Sequence, residues 1–359
     1  MYKVLVLGGG KIGSLITLLL DKEPDYKIHL IDQNIEILNN EKLGSSIEKS
    51  LLDISDHSQL TDYLSTNKFD AIISALPYYC NPNVAKLAHQ FNLHYFDLTE
   101  DVNVTKQIKK IAYTSERAVV PQGGLAPGFI SIVTQDLIHK FDLVDAVKMR
   151  VGALPVRPSN VLKYSLTWST DGLINEYGNT CFGIIDGNEV KLQPLEGYET
   201  IEIDGLLYEA FNTSGGIGTL ADSYRERVNS MDYKTLRYPG HCEKIRFLMN
   251  DLKLNKDRST LKTILEKAIP KTNQDVVLVF SSVSGWKNKV LFEKTYFKKI
   301  YPQSILGTKW SAIQVTTASS ICTIVDMVLF DPNQYRGFVT QESFRFDHFL
   351  KNRFASYFT

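Results

Sequence analysis

The chain has 359 residues, 43% of them hydrophobic and 22% charged, a globular balance that excludes a disordered or fibrous polypeptide. Forty Lys and Arg against forty Asp and Glu give a formal charge of zero, so no basic excess exists to hold a polyanion and nucleic acid is not an expected partner. The cysteines Cys80, Cys181, Cys242 and Cys322 lie far apart with no C-x-x-C pair, which excludes a local zinc knuckle or disulfide scaffold, leaves no metal expected and fits a reducing compartment.

At about 150 residues per domain, the length predicts two domains. The first strand, Val4–Leu7, begins almost at once, which predicts a cytoplasmic protein without a signal peptide. Gly8-Gly9-Gly10-Lys11-Ile12-Gly13 follows directly and opens a helix, satisfying G-x-G-x-x-G as Gly8, Gly10 and Gly13. Gly8 allows a tight turn, Gly10 lets the backbone approach a pyrophosphate, and Gly13 permits close packing of helix on strand. Lys11 and Ile12 complete a helix N-terminus whose free N–H groups suit a diphosphate. The second strand, Ile28–Ile31, ends at Asp32, nineteen residues after Gly13. A carboxylate there accepts hydrogen bonds from both ribose hydroxyls and repels a 2′-phosphate, and no arginine follows it, so NAD is expected over NADP. A glycine turn, with Asp32 capping the next helix, is the plain alternative.

Ala71–Ala75, Tyr95–Leu98 and Ala118–Pro121 continue the series of short apolar runs, with helical patterns between them. The alternation predicts an α/β fold, an N-terminal Rossmann domain with a doubly wound parallel sheet. Ligands sit beyond the carboxyl ends of such strands, so Ala75, Leu76, Pro77 and Tyr78 are expected to face a cofactor, or else to close a simple turn. Asp97, near the end of its strand, could orient an amine or take its proton; capping a helix that starts near Asp101 is its structural alternative. Glu100 reads as solvent-facing.

After Phe141 the pattern changes to longer alternating runs, at Ala146–Val151, Leu162–Trp168, Leu206–Phe211, Val276–Ser282 and Val290–Phe297. These predict a second α+β domain over 141–309, built on a mostly antiparallel sheet. Trp310–Phe330 is apolar but carries Gln314, Thr316, Thr317, Ser319, Ser320 and Asp326, which reads as a buried helix and not a membrane span. It is expected to return to the first domain, completing residues 1–140 with 310–359.

Several strings then occur in one order. They are Gly124-Leu125-Ala126-Pro127-Gly128, Gly152-Ala153-Leu154-Pro155-Val156-Arg157-Pro158, Leu207–Phe211 with Thr213-Ser214-Gly215-Gly216 and Thr219-Leu220, and Tyr233-Lys234-Thr235-Leu236-Arg237-Tyr238-Pro239-Gly240-His241. With these the chain resembles the saccharopine dehydrogenase family, most closely its lysine 6-dehydrogenase branch. The similarity runs from the first strand to roughly residue 250 and more diffusely to the end. It implies a homodimeric or larger NAD(P) enzyme acting on the carbon–nitrogen bond of a lysine-derived amino acid and forming 2-aminoadipate 6-semialdehyde. The family also contains glutamate-forming saccharopine dehydrogenase and carboxynorspermidine dehydrogenase. Gly152-Ala153 replaces the branch's Gly-Gly, and the stretch after Gly197 is altered; both bear on substrate choice.

Amine oxidation requires a neutral substrate nitrogen, although a free aliphatic ammonium has a pKa of about 10.4, so a base or a desolvating pocket is needed. Asp97, His241 and Tyr78 are the catalytic candidates. A substrate carboxylate needs a guanidinium fork, for which Arg237 and, second, Arg157 are candidates. Glu209 is placed against the α-amino group or one of those arginines. Tyr164 and Trp168, at even spacing on one expected strand, floor a pocket or fill the core. Thr213–Gly216 brings backbone N–H groups near the ligand or forms a plain turn. Cys80 and Cys242 read as small buried hydrophobes. A dinucleotide-binding sensor without turnover is the alternative of another class.

Overall fold

The computed structural model describes residues 1–54 and 56–358, the side chain of His57 excepted. The chain forms two compact units, Met1–Gly128 with Gln314–Thr359, and Phe129–Ile313.

The first unit runs β1 (Tyr2–Leu7), α1 (Gly13–Asp21), β2 (Tyr26–Asp32), α2 (Ile35–Leu38), β3 (Glu48–Leu51), α3 (His57–Thr66), β4 (Ala71–Ser74), α4 (Asn81–Gln90), β5 (His94–Asp97), α5 (Val102–Ile111) and β6 (Ala118–Val120). With a late two-residue strand, Gly337–Phe338, these build a seven-stranded sheet in the order Gly337–Phe338, β6, β5, β4, β1, β2, β3. All of its ladders are parallel, so this is the expected doubly wound α/β sheet. Strand order reverses between β1 and β4, where Leu7 lies beside Ser74. A crevice at the carboxyl ends of two strands that diverge in this way is where such folds take ligands. On one face Leu5, Leu7, Ile72 and Tyr95 pack against Val84 and Ala88 of α4 and Ile108 of α5. β3, largely exposed and carrying Glu48 and Lys49, lacks the apolar run by which its neighbours are recognised.

The second unit holds α6 (Ile130–Ile138), β7 (Leu143–Pro155), α7 (Thr170–Gly178), β8 (Cys181–Ile185), β9 (Asn188–Leu192), β10 (Glu199–Ile203), β11 (Leu206–Asn212), α8 (Leu220–Tyr224), β12 (Val228–Arg237), α9 (His241–Arg246), α10 (Arg258–Ala268), β13 (Asp275–Lys287), β14 (Val290–Ile300), β15 (Gln303–Ile305) and β16 (Thr308–Trp310). Its main sheet is ordered β10, β11, β12, β7, β13, β14, with the β8–β9 hairpin attached to β12. β7 and β12 run parallel and the other pairings are antiparallel. The border falls after Gly128, where the sequence pattern suggested 140, and α6 packs on β13 with the Thr134 and Ser281 hydroxyls 2.8 Å apart.

The strand expected over Leu162–Trp168 is not one. Lys163 takes a left-handed φ of 50°, the Asn160 amide donates to the Tyr164 carbonyl at 2.6 Å, and the Leu166 N–H goes to Pro270 O. Local side-chain bonding of this kind competes with a ladder and leaves the segment irregular. It packs instead on Leu173, Ile174 and Tyr177 of α7 and Ile245 of α9.

The chain then enters α11 (Ala312–Phe330), followed by α12 (Phe346–Lys351). Helix α11 is long and apolar enough to cross a membrane, yet 83% of its most apolar window is buried within the protein. Its Asp326 accepts from Tyr26 at 2.6 Å and from Arg353 and Asn352, tying the C-terminal segment to β2. Both oxygens of the buried Asp275 receive the first α11 amides, Ala312 N–H at 2.6 Å and Ile313 N–H at 3.0 Å. A helix start inside the protein has no water to meet those donors, so removing the acceptor leaves them orphaned. Asp275→Ala should cost about 1–2 kcal/mol, read as a lowered urea midpoint, with Asp275→Asn losing less. An unchanged midpoint would mean that these amides find other partners.

Candidate functional site

In the first unit, Gly8 has a φ of 93° and donates to Ile31 O at 2.8 Å, closing the turn that leads from β1 to α1. A Cβ on Gly13 would lie 1.8 Å from Gly8 O, so only glycine lets helix and strand approach this closely. A Cβ on Gly10, in contrast, would meet nothing within 4 Å, and Gly10 and Lys11 are exposed. No side chain caps α1 at Ile12, so the helix presents its N-terminus without a protein anion. An exposed loop with open space above its central glycine fits a diphosphate. Asp32 takes the Gly9 N–H on Oδ2 at 2.7 Å and the Asn34 N–H on Oδ1 at 2.8 Å, which sets its carboxylate beside the loop. Each oxygen keeps a second lone pair for a hydroxyl. Ala75 O and Leu76 Cδ2 lie 3.0 and 3.2 Å from where a Gly8 Cβ would stand, so the segment after β4 does flank the glycines, with Pro77 exposed beyond it. Tyr78 is half-buried against the core and edge-on to Tyr79.

Asp97 differs from the expectation. Its carboxylate is fully buried; Oδ1 accepts from the Thr99 and Gln122 amides at 2.8 and 3.0 Å, and Oδ2 from the Tyr95 hydroxyl at 2.7 Å. Burial raises it to about 6 against the pull of those amides. It joins the ends of β5 and β6. Asp101, not Asp97, caps α5, accepting from Val104 N–H at 2.8 Å.

The polar core of the second unit is built around Arg237, at the end of β12 and only 3% exposed. Its Nε–H donates to the Tyr177 hydroxyl at 2.8 Å, and Nη1 donates to Thr235 Oγ1 at 2.6 Å and Leu236 O at 2.9 Å. The guanidinium sits over the Tyr164 and Tyr177 rings, 5.0 and 5.6 Å from their centroids. Nη2 faces Glu176 Oε2 at 3.8 Å, too long for a hydrogen bond. Oε2 is itself buried with no hydrogen-bond partner, and burial lifts the Glu176 carboxyl to about 7 although Arg237 pulls it down.

His241, 1% exposed, bonds through Nδ1 to Leu162 O at 2.8 Å and through Nε2 to the Tyr177 hydroxyl at 3.0 Å. Burial and the charge of Arg237 depress it to about 3. A carbonyl only accepts, so Nδ1 carries the proton; Tyr177 accepts from Arg237 and donates to Nε2. His241 is therefore neutral near pH 7, with both of its nitrogens engaged.

Glu209 faces the turn before α9. Its oxygens take the Gly240 N–H at 2.7 Å and the Cys242 N–H at 2.5 Å, pinning the turn that carries His241. Arg157 is exposed on the loop after β7 and stays outside this cluster. Tyr164 belongs to it and accepts from the Trp168 indole at 3.2 Å. Ser214 N–H bonds Glu176 O at 2.9 Å, and the neighbouring Thr213 hydroxyl is buried without a partner. Glu176 and Tyr177 were missed in the sequence. The available signal was a glutamate in a helix whose Leu173, Ile174 and Tyr177 are all core residues.

A family model of the saccharopine dehydrogenase NADP binding domain matches residues 4–121, and one of the saccharopine dehydrogenase C-terminal domain matches residues 124–353. The chain is 22% identical over 319 residues to alpha-aminoadipic semialdehyde synthase, mitochondrial, of Bos taurus, covering 83% of this chain and 33% of that protein. The Rattus norvegicus counterpart is 21% identical over 370 residues, covering 96% and 39%. The chain thus spans between a third and two-fifths of these relatives' length. The apo saccharopine dehydrogenase (L-Glu forming) of Saccharomyces cerevisiae superposes with a TM-score of 0.76 at 16% identity, covering 98% of this chain and 96% of that one, a shared fold.

The Glu176 carboxyl binds its proton more tightly folded, at about 7, than at its ordinary value of 4.5. Its stabilising contribution is complete below 4.5 and is lost as pH rises through 7. Wild-type protein should lose on the order of 1–3 kcal/mol more stability between pH 5 and pH 8 than Glu176→Gln does, measured by thermal melts of both. Parallel pH profiles would refute a desolvated Glu176.

Proposed function

The chain belongs to the saccharopine dehydrogenase family, and from that premise we propose that it is a nicotinamide-dependent oxidoreductase acting on the carbon–nitrogen bond at the ε-carbon of a lysine-derived amino acid. The observation that carries this reading is the open glycine loop with Asp32 beside it, in a chain matched along nearly its whole length by the family's two domain models. The bound nicotinamide would accept hydride from the carbon next to nitrogen. Backbone N–H groups at the start of α1 would hold the diphosphate, and Gly10 would leave it room. In the second unit, Arg237 is the cation for a substrate carboxylate.

The product we infer is 2-aminoadipate 6-semialdehyde, consistent with the name of the bovine and rat relatives. Saccharopine, oxidised with release of glutamate, is the first reading, since both family models bear that enzyme's name. Lysine, oxidised with release of ammonia, is the second, favoured by the Tyr233–His241 string. Asp32 supports NAD, against the NADP in the name of the matching domain. The residues after it, Gln33 and Asn34, offer no cation to a 2′-phosphate.

Pure protein mixed with NAD and saccharopine at alkaline pH should generate reduced nicotinamide, followed by absorbance, together with free glutamate; L-lysine run in parallel should generate it with ammonia if the second reading holds. Silence with both, cofactor binding intact, removes both substrates and favours the sensor. Asp32→Ser should weaken NAD by roughly tenfold and relax discrimination against NADP, the size of a lost charge-assisted hydrogen bond. An unaltered preference would mean that this carboxylate does not touch the ribose.

A further inference from the structure

A loop that holds a diphosphate through its amides must turn its carbonyls elsewhere, since a carbonyl oxygen only accepts hydrogen bonds and so does a phosphate oxygen. In the β1–α1 loop, protein groups take the carbonyls in turn. The Gly9 carbonyl accepts from the Ser14 hydroxyl, Gly10 O from the Ser14 N–H at 3.0 Å, and Ile12 O from the Leu15 and Ile16 amides at 3.0 Å. These donors all lie in α1 itself. The Lys11 carbonyl between them is met from the far end of the chain, where Gln314, in the first turn of α11, donates to it through Nε2 at 2.9 Å.

Gln314 is one of the polar residues that interrupt the apolar run of α11. It belongs to the same compact unit as the loop, and the rest of the helix fixes its place there. Three and seven residues on, Thr317 Cγ2 lies 3.3 Å from where a Gly124 Cβ would stand and Ile321 Cγ1 lies 3.2 Å from that of Gly123, so the face that carries Gln314 is tightly packed. The other end of α11 is anchored by the Tyr26 hydroxyl on Asp326 at 2.6 Å and the Tyr2 hydroxyl on Leu329 O at 2.6 Å. A trans peptide is planar, with its C=O and N–H opposed, so an acceptor fixed on one side fixes a donor on the other. Holding Lys11 O toward α11 sends the Ile12 N–H the opposite way.

We propose that Gln314 is a positioning residue of the dinucleotide site: by holding the Lys11 carbonyl it aims the Ile12 N–H at the diphosphate. Gln314 acts through the Lys11–Ile12 peptide and not by contact with the ligand. A site whose glycines lie at the start of the chain is thereby completed by a side chain 303 positions after Lys11.

This inference rests on the reading of the loop as a nicotinamide-dinucleotide site. ADP-ribose, which carries the diphosphate without the reacting ring, tests it apart from turnover. Gln314→Met keeps the length of the side chain and cannot donate. In titration calorimetry of the full chain it should weaken ADP-ribose by about fivefold or more, the size of one lost hydrogen bond. Gln314→Glu, which puts an acceptor where a donor is needed, should lose at least as much. In protein carrying isotope-labelled isoleucine, ADP-ribose should move the Ile12 amide proton downfield in the wild type and clearly less in Gln314→Met, a signature that a merely structural glutamine would not alter. Full affinity in Gln314→Met, or a loss with the Ile12 shift unaltered, would overturn the role of Gln314 and leave the cofactor reading standing. No binding of ADP-ribose by wild-type protein would overturn both.

Discussion

A guanidinium that meets almost no water organises the second unit. Arg237 keeps its charge when buried, and its Nε and Nη1 donors find acceptors within the protein. That requirement draws three distant stretches together: the irregular Tyr164 segment supplies a ring, α7 supplies Tyr177 and Glu176, and β12 supplies Thr235. It also orders the protons. Because Arg237 only donates and the Leu162 carbonyl only accepts, the Tyr177 hydroxyl must point to His241 and the imidazole must carry its proton on Nδ1. A positive charge on β12 thus sets the tautomer of a histidine on the following helix.

The first unit reaches a binding geometry by different means. No buried charge leads there; what matters is how closely one backbone can pass another. Gly13 is bare because Gly8 O occupies the place of its side chain, whereas Gly10 is bare with nothing opposite. The first absence of a Cβ serves packing and the second leaves room for a ligand, a distinction that the G-x-G-x-x-G spelling carries only in its order.

This contrast also explains what could be read from the amino-acid string. The β1–α1 turn, Asp32 and the parallel strands were legible because each depends on residues close in sequence: a strand pattern, glycines at fixed offsets, an acid one strand later. Leu162–Trp168 was misread because its alternation imitates a strand, while its actual conformation is decided by Asn160 and by Pro270, about a hundred residues away. Trp168 nevertheless touches Tyr164, through an indole hydrogen bond and not through the face of a sheet. Glu176 was invisible for a related reason. A glutamate on an amphipathic helix is ordinarily a solvated one, and only the tertiary arrival of Arg237 gives it a partner charge.

Why four acidic residues of similar promise diverge comes down to which amides lie within their reach. Asp97 and Glu209 each stand where backbone N–H groups converge, at the ends of β5 and β6 and at the turn before α9, and a carboxylate so placed is consumed by them. Asp32, 8% exposed, also receives two amides, one per oxygen, but beside a glycine loop whose Gly10 and Lys11 are exposed. Glu176 lies near the C-terminal end of α7, where helix geometry exposes carbonyls and offers no amide to a side chain. Its buried oxygen is left with a guanidinium at 3.8 Å and no hydrogen bond. Position relative to backbone donors, not residue type or strand end alone, separates the carboxylates that hold the fold together from those still able to hold something else.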